Sequence, residues 1–292
     1  MNRRLRVRPW WLFAIMAVLV LAAAAAFAAC GDDDDDDLSP TPAATTAASS
    51  LTSTADPVKG EVVVFAASSL TDAFNDLGNA FEAEYPGTKV TYNFASSSAL
   101  ATQINEGAPA DVFASADLAQ MKVVTDAGNA GEAKQFATNR PVVVVPKSGS
   151  PVAAFEDLAK SGVRLVLAAP EVPIGRYARD ILANASASGG ISPDFSDRVL
   201  ANLESNEANV RAVLTKVQLG EADAGIVYST DAAVAGDDVR VIDVPEAFNV
   251  IARYPIAAVT DSENPSGAAA FVAFVLSDGG QAVLKKYGFG SP

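Results

Sequence analysis

The chain has 292 residues, half of them apolar, and a formal net charge of −14. This length and composition allow a sizeable core, in one large domain or two modest ones, and they exclude a chain that is disordered throughout. The sequence contains no histidine, which excludes Ser-His catalysis and any histidine metal site. The acidic balance argues against nucleic acid as a partner, because phosphate neutralisation needs clustered Lys and Arg.

The first 29 residues have the charge, length and order of an export signal. Four arginines lie between Arg3 and Arg8, and an apolar run follows over residues 10–29. We therefore predict a signal peptide over residues 1–29. The apolar run is also long enough to span a bilayer, so an uncleaved signal anchor is the alternative.

Cys30 is the only cysteine of the chain, so it cannot form an internal disulfide. It follows the small residues of FAAC and precedes Gly31. This arrangement resembles the lipobox of bacterial lipoproteins, although Phe27 stands where leucine is usual. The resemblance implies that Cys30 is lipidated and that the protein is extracytoplasmic, anchored to the cell membrane as a lipoprotein.

Residues 30–58 are predicted to form a disordered tether behind the lipidated cysteine. Six aspartates are followed mainly by Ser, Thr, Ala and Pro, which offer little to bury. Cation binding by residues 32–37 is the alternative, but an acidic run of this kind is typically a solvated spacer.

Removal of the leader takes away four arginines and no acids, so the formal charge becomes −18. An anionic ligand would then have to be attracted by local donors, because the overall field repels it.

From Glu61 onward, apolar β-branched runs alternate with helical patterns, which predicts an α/β fold with mainly parallel sheets. The predicted strands are 62–66, 90–94, 112–114, 142–145, 165–168, 224–228, 239–244 and 256–259. The predicted helices are about 71–85, 98–105, 118–127, 175–183, 194–202, 210–219 and 265–286.

No long flexible linker interrupts residues 60–292, so we expect two lobes joined by short crossings. The first lobe is predicted to comprise residues 59–140 and 255–292, and the second residues 141–254. The crossings are expected near Arg140 and near residues 252–255, with the C-terminal helix returning to the first lobe. A cleft between two such lobes is the usual place for a small ligand.

Two serine clusters follow predicted strands at the points where helices begin. VFAASSLTDAF contains Ser69, and TYNFASSSALA contains Ser97. The ordinary role of such a serine is to cap the helix, and Ser69 with Asp72 resembles a capping box. However, both clusters follow strands expected in the same sheet, at the carboxyl ends where open α/β folds bind ligands. Helix N-termini with serine hydroxyls attract anions without any Lys or Arg.

Three later segments also bring donors to a strand end or a helix start. Backbone N–H groups are exposed at a helix entry in APEVPIGRYA, which contains Ile174, and in NEANVRA, which contains Val210. For Ile174 a plain turn is the alternative. In GIVYSTDA, Tyr228 stands at the end of a short buried strand, where its phenol is either a satisfied core group or a donor to the cleft.

Together with FASSSALATQINEGAPADVFASAD and the terminal KKYGF, these segments resemble the molybdate-binding proteins of bacterial ABC importers. The similarity covers nearly all of residues 60–289 in the same order. It implies a two-lobed type II periplasmic-binding-protein fold, with each lobe a mainly parallel sheet flanked by helices and a tetrahedral oxyanion in the interlobe cleft. It also implies that the protein captures molybdate, and tungstate with it, and delivers it to an ABC permease in the membrane.

Carried over residue by residue, the resemblance implies five ligand-binding positions. Ser69 and Ser97 would supply hydroxyl and backbone donors. Ile174 and Val210 would supply backbone N–H donors, and Tyr228 a phenolic donor. Alanine is frequent in the family where Ile174 stands, so the cavity wall differs there. We expect a monomer without a cofactor, in which molybdenum is bound only as its oxyanion and no metal is coordinated directly.

The chemistry of the donors agrees with this assignment. Molybdate, tungstate and sulfate are fully deprotonated dianions at neutral pH and only accept hydrogen bonds, whereas phosphate keeps a proton that needs an acceptor. A receptor for another oxyanion such as sulfate, on the same fold, is the alternative. An enzyme is not expected, because no Ser-x-x-Lys arrangement is present and no paired-acid motif stands out, which leaves a carboxylate-only hydrolase as the alternative. A surface adhesion module is supported by the tether alone.

Overall fold

The computed structural model describes residues 58–292, so the predictions for residues 1–57, Cys30 among them, lie outside the described residues. Residues 58–292 form ten strands, nine α-helices and three short 3₁₀ helices. The strands are β1 (Gly60–Ala67), β2 (Thr88–Ala95), β3 (Val112–Ala114), β4 (Lys134–Asn139), β5 (Pro141–Pro146), β6 (Leu165–Ala168), β7 (Leu203–Glu207), β8 (Ala224–Tyr228), β9 (Val239–Ile242) and β10 (Ala252–Ala258). The helices are α1 (Thr71–Glu84), α2 (Ser97–Asn105), α3 (Leu118–Asp126), α4 (Pro173–Ala187), α5 (Phe195–Leu200), α6 (Val210–Gln218), α7 (Ser229–Ala235), α8 (Pro265–Leu276) and α9 (Asp278–Lys286).

The first sheet has the strand order β2-β1-β3-β10-β4. β1 pairs in parallel with β2 on one side and with β3 on the other. β10 comes from much later in the chain and pairs antiparallel with both β3 and β4. Four strands therefore run in one direction and β10 runs in the other. Helices α1, α2, α3, α8 and α9 pack around this sheet, and together they form what we call the first lobe.

The second sheet has the order β7-β6-β8-β5-β9. β6 is parallel to β7 and β8, and β5 is antiparallel to β8 and β9. Helices α4 to α7 pack around this sheet and complete the second lobe. The chain passes from the first sheet to the second at Arg140, and it returns between Ile242 and Ala252. The predicted α/β layers are confirmed, and in each sheet a single strand opposes the other four.

Aromatic side chains fix α1 on the first sheet. Phe74 of α1 is fully buried, and its ring centroid lies 5.8 Å from that of Phe136 in β4 and 6.1 Å from that of Phe271 in α8. Phe81 contacts Phe271 edge-on at 5.3 Å. These contacts bury large apolar areas. They hold the start of α1, and the serines before it, in one position.

Two strands and one helix were not predicted, and one predicted helix is divided. β4 (KQFATN) and β7 (LESNE) contain mostly polar residues because both lie at sheet edges, where half-exposed positions need no apolar side chain. The short helix α7 follows β8 directly. The predicted helix 265–286 breaks at Ser277, whose side chain accepts a hydrogen bond from the N–H of Gly280 and caps α9.

No single helix among residues 58–292 is long and apolar enough to cross a membrane. α8 and α9 satisfy the length and composition criteria only as a pair, and the two helices bend by 62° at the break between them.

Candidate functional site

All five residues predicted to bind the ligand line one pocket. The pocket holds about 190 Å³ of space, its opening to solvent included. Residues of both lobes contribute to its wall, since Ser69 and Ser97 come from the first lobe and the other three from the second. The predicted positions in the wall are Ser69, Ser97, Ile174, Val210 and Tyr228.

Ser69 lies in a single 3₁₀ turn, Ser68–Leu70, between β1 and α1. α1 begins at Thr71 without a side-chain cap, so the capping interpretation of Ser69 is wrong. Its Oγ instead lies 3.0 Å from the phenolic oxygen of Tyr254, in β10. Ser68 lines the same pocket.

Ser97 is the first residue of α2, and the preceding Ser96 is the residue that caps this helix. The Ser96 hydroxyl accepts from the N–H of Ala99 at 3.3 Å. Ser97 is 1% exposed, and its Oγ accepts from the N–H of Ala116 at 2.9 Å. The Ser97 hydroxyl donates to no acceptor within residues 58–292, so its proton is available to a ligand.

Two helix starts face the pocket from the second lobe. α4 begins with Pro173 and Ile174 and has no side-chain cap, and α6 begins with Val210 after the capping residue Asn209. The N–H groups of a first helical turn have no partner inside the helix and carry partial positive charge. Both starts therefore present main-chain donors to an anion.

The close approach of α4 to β6 depends on Gly175. A Cβ atom at this position would lie 2.0 Å from the carbonyl oxygen of Ala169 and 2.4 Å from that of Ala168. Any other residue would push the helix start away from the strand end. The absence of a side chain here therefore brings the neighbouring Ile174 to the pocket.

Tyr228 ends β8, lines the pocket and is 1% exposed. Its phenolic oxygen has no hydrogen-bond partner within residues 58–292. Burial raises the pKa of this phenol well above its ordinary value, so the group keeps its proton and stays a donor. An unpaired buried hydroxyl costs about 1 to 3 kcal/mol, and a ligand acceptor in the pocket would remove that cost.

A buried network of hydrogen bonds lies behind Ser69 and Tyr228. The Asn139 side-chain amide donates to Thr230 Oγ1 at 2.8 Å and to Tyr254 Oη at 3.5 Å. The Asn139 Oδ1 accepts from the N–H of Arg140, which fixes which way the amide points. The ring of Tyr254 packs edge-on against that of Tyr228, with centroids 5.8 Å apart.

Charged residues stand beside the pocket but not in its wall. Arg211 of α6 lies 2.6 Å from a carboxylate oxygen of Asp72 and 2.7 Å from one of Asp231. Arg176 of α4 lies 3.0 Å from a carboxylate oxygen of Asp117. Asp231 is fully buried, and burial raises the pKa of its carboxyl to about 6 although Arg211 acts to lower it.

Of these charged residues, the sequence pointed only to Asp72, as a capping partner of Ser69, and the others and Tyr254 were not predicted. Arg176 and Arg211 lie inside the quoted segments PIGRYA and NVRA, so a search for charges next to the expected donors would have found them. Tyr254 gave no such signal, because β10 reaches the site from a distant part of the chain. Residues 58–292 contain no group of three or more His, Cys, Asp or Glu side chains arranged to hold a metal ion.

The wall of the pocket thus offers hydroxyl and main-chain donors without a carboxylate or carboxamide acceptor among its side chains. Such a surface suits a small, fully deprotonated anion and disfavours a ligand that must donate. Two α/β lobes with a pocket of this kind between them define a solute-binding protein of the type II periplasmic-binding fold.

Residues 62–290 match the family described as bacterial extracellular solute-binding protein, and the chain belongs to this family. The molybdate-binding protein ModA of Mycobacterium tuberculosis (strain ATCC 25618 / H37Rv) is 41% identical over 249 residues, which cover 84% of this chain and 90% of the relative. ModA of Escherichia coli (strain K12) is 36% identical, covering 79% and 89%. The "Putative ABC transporter substrate-binding lipoprotein YvgL" of Bacillus subtilis (strain 168) is 33% identical, covering 82% and 90%.

Solved structures share the fold. The periplasmic molybdate-binding protein of Azotobacter vinelandii superposes with a TM-score of 0.68 at 20% identity, covering 79% of this chain and 99% of the other. The sulfate-binding protein SubI of Mycobacterium tuberculosis H37Rv superposes with a TM-score of 0.70 at 18% identity, covering 79% and 86%. At these identities the likeness supports the two-lobed architecture alone.

Proposed function

We propose that this protein captures molybdate, and tungstate with it, and delivers the ion to an ABC importer. The observation that carries the proposal is the unpaired, buried hydroxyl of Tyr228, in the same pocket as two serine hydroxyls and two helix starts. An anion that accepts from all of them satisfies the buried Tyr228 hydroxyl, which has no hydrogen-bond partner within residues 58–292. The names of the M. tuberculosis and E. coli relatives support molybdate as that anion.

The proposed donors are the main-chain or hydroxyl groups of Ser69 and Ser97, the N–H groups of Ile174 and Val210, and the phenol of Tyr228. A charge-assisted hydrogen bond contributes roughly 1.5 to 3 kcal/mol. Five such bonds, after ordering and desolvation costs, are sufficient for roughly 8 to 12 kcal/mol, which corresponds to micromolar to nanomolar binding.

Sulfate is the second candidate, because the sulfate-binding protein SubI has the same fold. The side chains in the pocket wall suit both dianions, which differ in size and not in their need for donors. We favour molybdate over sulfate as the ligand, because two relatives above 30% identity are named molybdate-binding proteins.

The proposal extends to the place of action. Lipidation of Cys30 would anchor the receptor at the outer face of the membrane, where it releases the ion to the permease as a monomer and catalyses no reaction. The name of the B. subtilis relative supports a lipoprotein.

Calorimetric titration of the purified protein with molybdate, tungstate, sulfate and phosphate tests the assignment. We expect saturable heat with molybdate and tungstate, at micromolar affinity or tighter, and much weaker binding of sulfate and phosphate. Heat with sulfate alone would favour the second candidate, and the absence of heat with molybdate and tungstate would reject the first.

A further inference from the structure

Two ion pairs join the lobes beside the pocket. Arg211 of α6 reaches Asp72 in the first turn of α1 at 2.6 Å. Arg176 of α4 reaches Asp117, the capping residue of α3, at 3.0 Å. Each arginine belongs to the second lobe and each of these aspartates to the first. We call the two pairs the interlobe ion pairs.

The interlobe ion pairs are close in sequence to the proposed donors of the second lobe. Val210 immediately precedes Arg211, and Ile174 lies two residues before Arg176. Both arginines are therefore in the first turns of the helices whose N–H groups face the pocket. A movement of either arginine relative to the first lobe moves a proposed donor with it.

The first-lobe carboxylates are equally close to the proposed serine donors. Asp72 lies three residues after Ser69, at the junction of the 3₁₀ turn with α1. Asp117 follows Ala116, whose N–H donates to Ser97 Oγ at 2.9 Å. Each ion pair thus links one serine turn of the first lobe to one helix start of the second.

Tyr228 is joined to the same system through α7. It lies three residues before Asp231, whose Oδ1 is 2.7 Å from the Nε of Arg211. Asp231 is inaccessible to solvent, and it does not line the pocket. Arg211 is therefore held between a buried carboxylate of its own lobe and Asp72 of the other.

We propose that Asp72 and Asp117 are positioning residues for anion capture, which hold the lobes in the arrangement that brings all five donors together. This inference rests on the proposed function and adds to it the residues that fix how the two lobes meet. Neither aspartate nor either arginine lines the pocket, so none of them contacts the anion.

The proposal predicts an effect opposite in sign to that of simple charge attraction. Removal of a negative charge near an anion site strengthens the attraction for a dianion. If the carboxylates position the lobes, their removal instead weakens binding. Anion binding must then supply the free energy with which the interlobe ion pairs held the two lobes together.

The test is calorimetric titration of Asp72→Asn, Asp117→Asn and the double variant with sodium molybdate. Asparagine keeps the size of the side chain, and at Asp117 it keeps an oxygen that can accept from the Gln120 N–H, as the aspartate does at 2.8 Å. We expect each single change to weaken binding roughly five- to thirtyfold, and the double change to weaken it further.

Asp180→Asn is the matched control. Asp180 also pairs with Arg176, at 3.3 Å, but it lies on the same helix and does not reach the other lobe. The control removes one carboxylate charge that pairs with Arg176, as Asp117→Asn does. We expect the molybdate affinity of Asp180→Asn to stay within about twofold of the wild type.

Unchanged or tighter molybdate binding by Asp72→Asn and Asp117→Asn would overturn the inference. If the wild type gives no heat with molybdate, the proposed function fails, and small-angle X-ray scattering of the ligand-free proteins then tests the ion pairs independently. A larger radius of gyration for the double variant than for the wild type supports the positioning role, and equal radii overturn it.

Discussion

At the level of single residues, the hydrogen bond between Ser69 and Tyr254 has a defined donor. The amide nitrogen of Asn139 can only donate, so Tyr254 Oη accepts from it. If Tyr254 also accepted from Ser69, its own buried proton would have no acceptor within residues 58–292. The phenol therefore donates to Ser69, because Tyr254 is fully buried outside the pocket wall, whereas a proton left on Ser69 faces the pocket and can reach a ligand or solvent. The Ser69 proton is then available to the pocket.

Substitution of Tyr254 by Phe tests this direction. The change removes the donor that occupies the Ser69 oxygen and frees that oxygen to accept. We expect Tyr254→Phe to weaken molybdate binding about tenfold, because the serine is no longer held in place. We also expect the preference for molybdate over phosphate to fall, since the freed oxygen can accept the phosphate proton. Calorimetry with both anions measures the two effects.

Tyr92→Phe provides the control for this change. The Tyr92 phenol donates to the carbonyl oxygen of Phe74 at 2.5 Å, away from the pocket. Both variants lose a phenolic hydroxyl and its hydrogen bonds, so both should be less stable, but Tyr92→Phe should bind molybdate like the wild type. Equal affinities and equal anion preferences in the two variants would show that Tyr254 does not orient Ser69.

At the scale of secondary structure elements, the pocket depends on where helices begin. The helix starts at α2, α4 and α6 each follow a loop or strand end that leaves first-turn N–H groups without an intrahelical partner. Gly175 lets α4 begin directly against the end of β6. The main-chain donor at Ile174 is therefore placed by backbone packing, so the side chain at this position is free to differ from the alanine frequent in the family.

Gly175→Ala should displace the start of α4. The new methyl group would overlap two main-chain oxygens, which cannot rotate away as a side chain can. We expect the free energy of unfolding to fall by about 1 to 3 kcal/mol and molybdate binding to weaken. Urea unfolding and calorimetry measure the two effects.

Gly279→Ala is the matched control, since Gly279 lies in the first turn of α9 and an added Cβ would meet only the Ser277 Oγ, at 3.7 Å. This variant should be at least as stable as the wild type, because alanine favours the helix over glycine, and it should keep the molybdate affinity of the wild type. Wild-type stability in Gly175→Ala would mean that the close approach of α4 to β6 is not required.

The elements that carry the site were the easiest to predict from sequence. β1, β3, β6 and β8 are buried apolar runs, and their ends are marked by small residues, serines or a tyrosine. β7 (LESNE) was missed because an edge strand with one apolar residue has no hydrophobic pattern to recognise. The break at Ser277 was missed because apolar residues resume at Ala282 after only five polar or glycine residues, Ser277 among them, although Ser277 and the two glycines after it are typical of a break.

At the scale of the whole molecule, sequence patterns predicted two α/β lobes but not how the lobes meet. The contact between Arg211 and Asp72 joins residues 139 positions apart, and no local pattern specifies it. Tyr254 likewise reaches Ser69 only because β10 inserts between β3 and β4. The sequence positions that line the pocket were therefore predictable, whereas the network behind them follows from the topology.

We propose that five donors from separate strand ends and helix starts bind one dianion between the lobes. A crystal structure of the protein with molybdate tests it most directly, because molybdenum gives an anomalous signal. We predict one strong peak in this pocket, with molybdate oxygens about 2.7 to 3.1 Å from the hydroxyls of Ser69, Ser97 and Tyr228 and from the main-chain nitrogens of Ile174 and Val210. A peak elsewhere, or an ion that leaves the Tyr228 hydroxyl unpaired, would contradict the account.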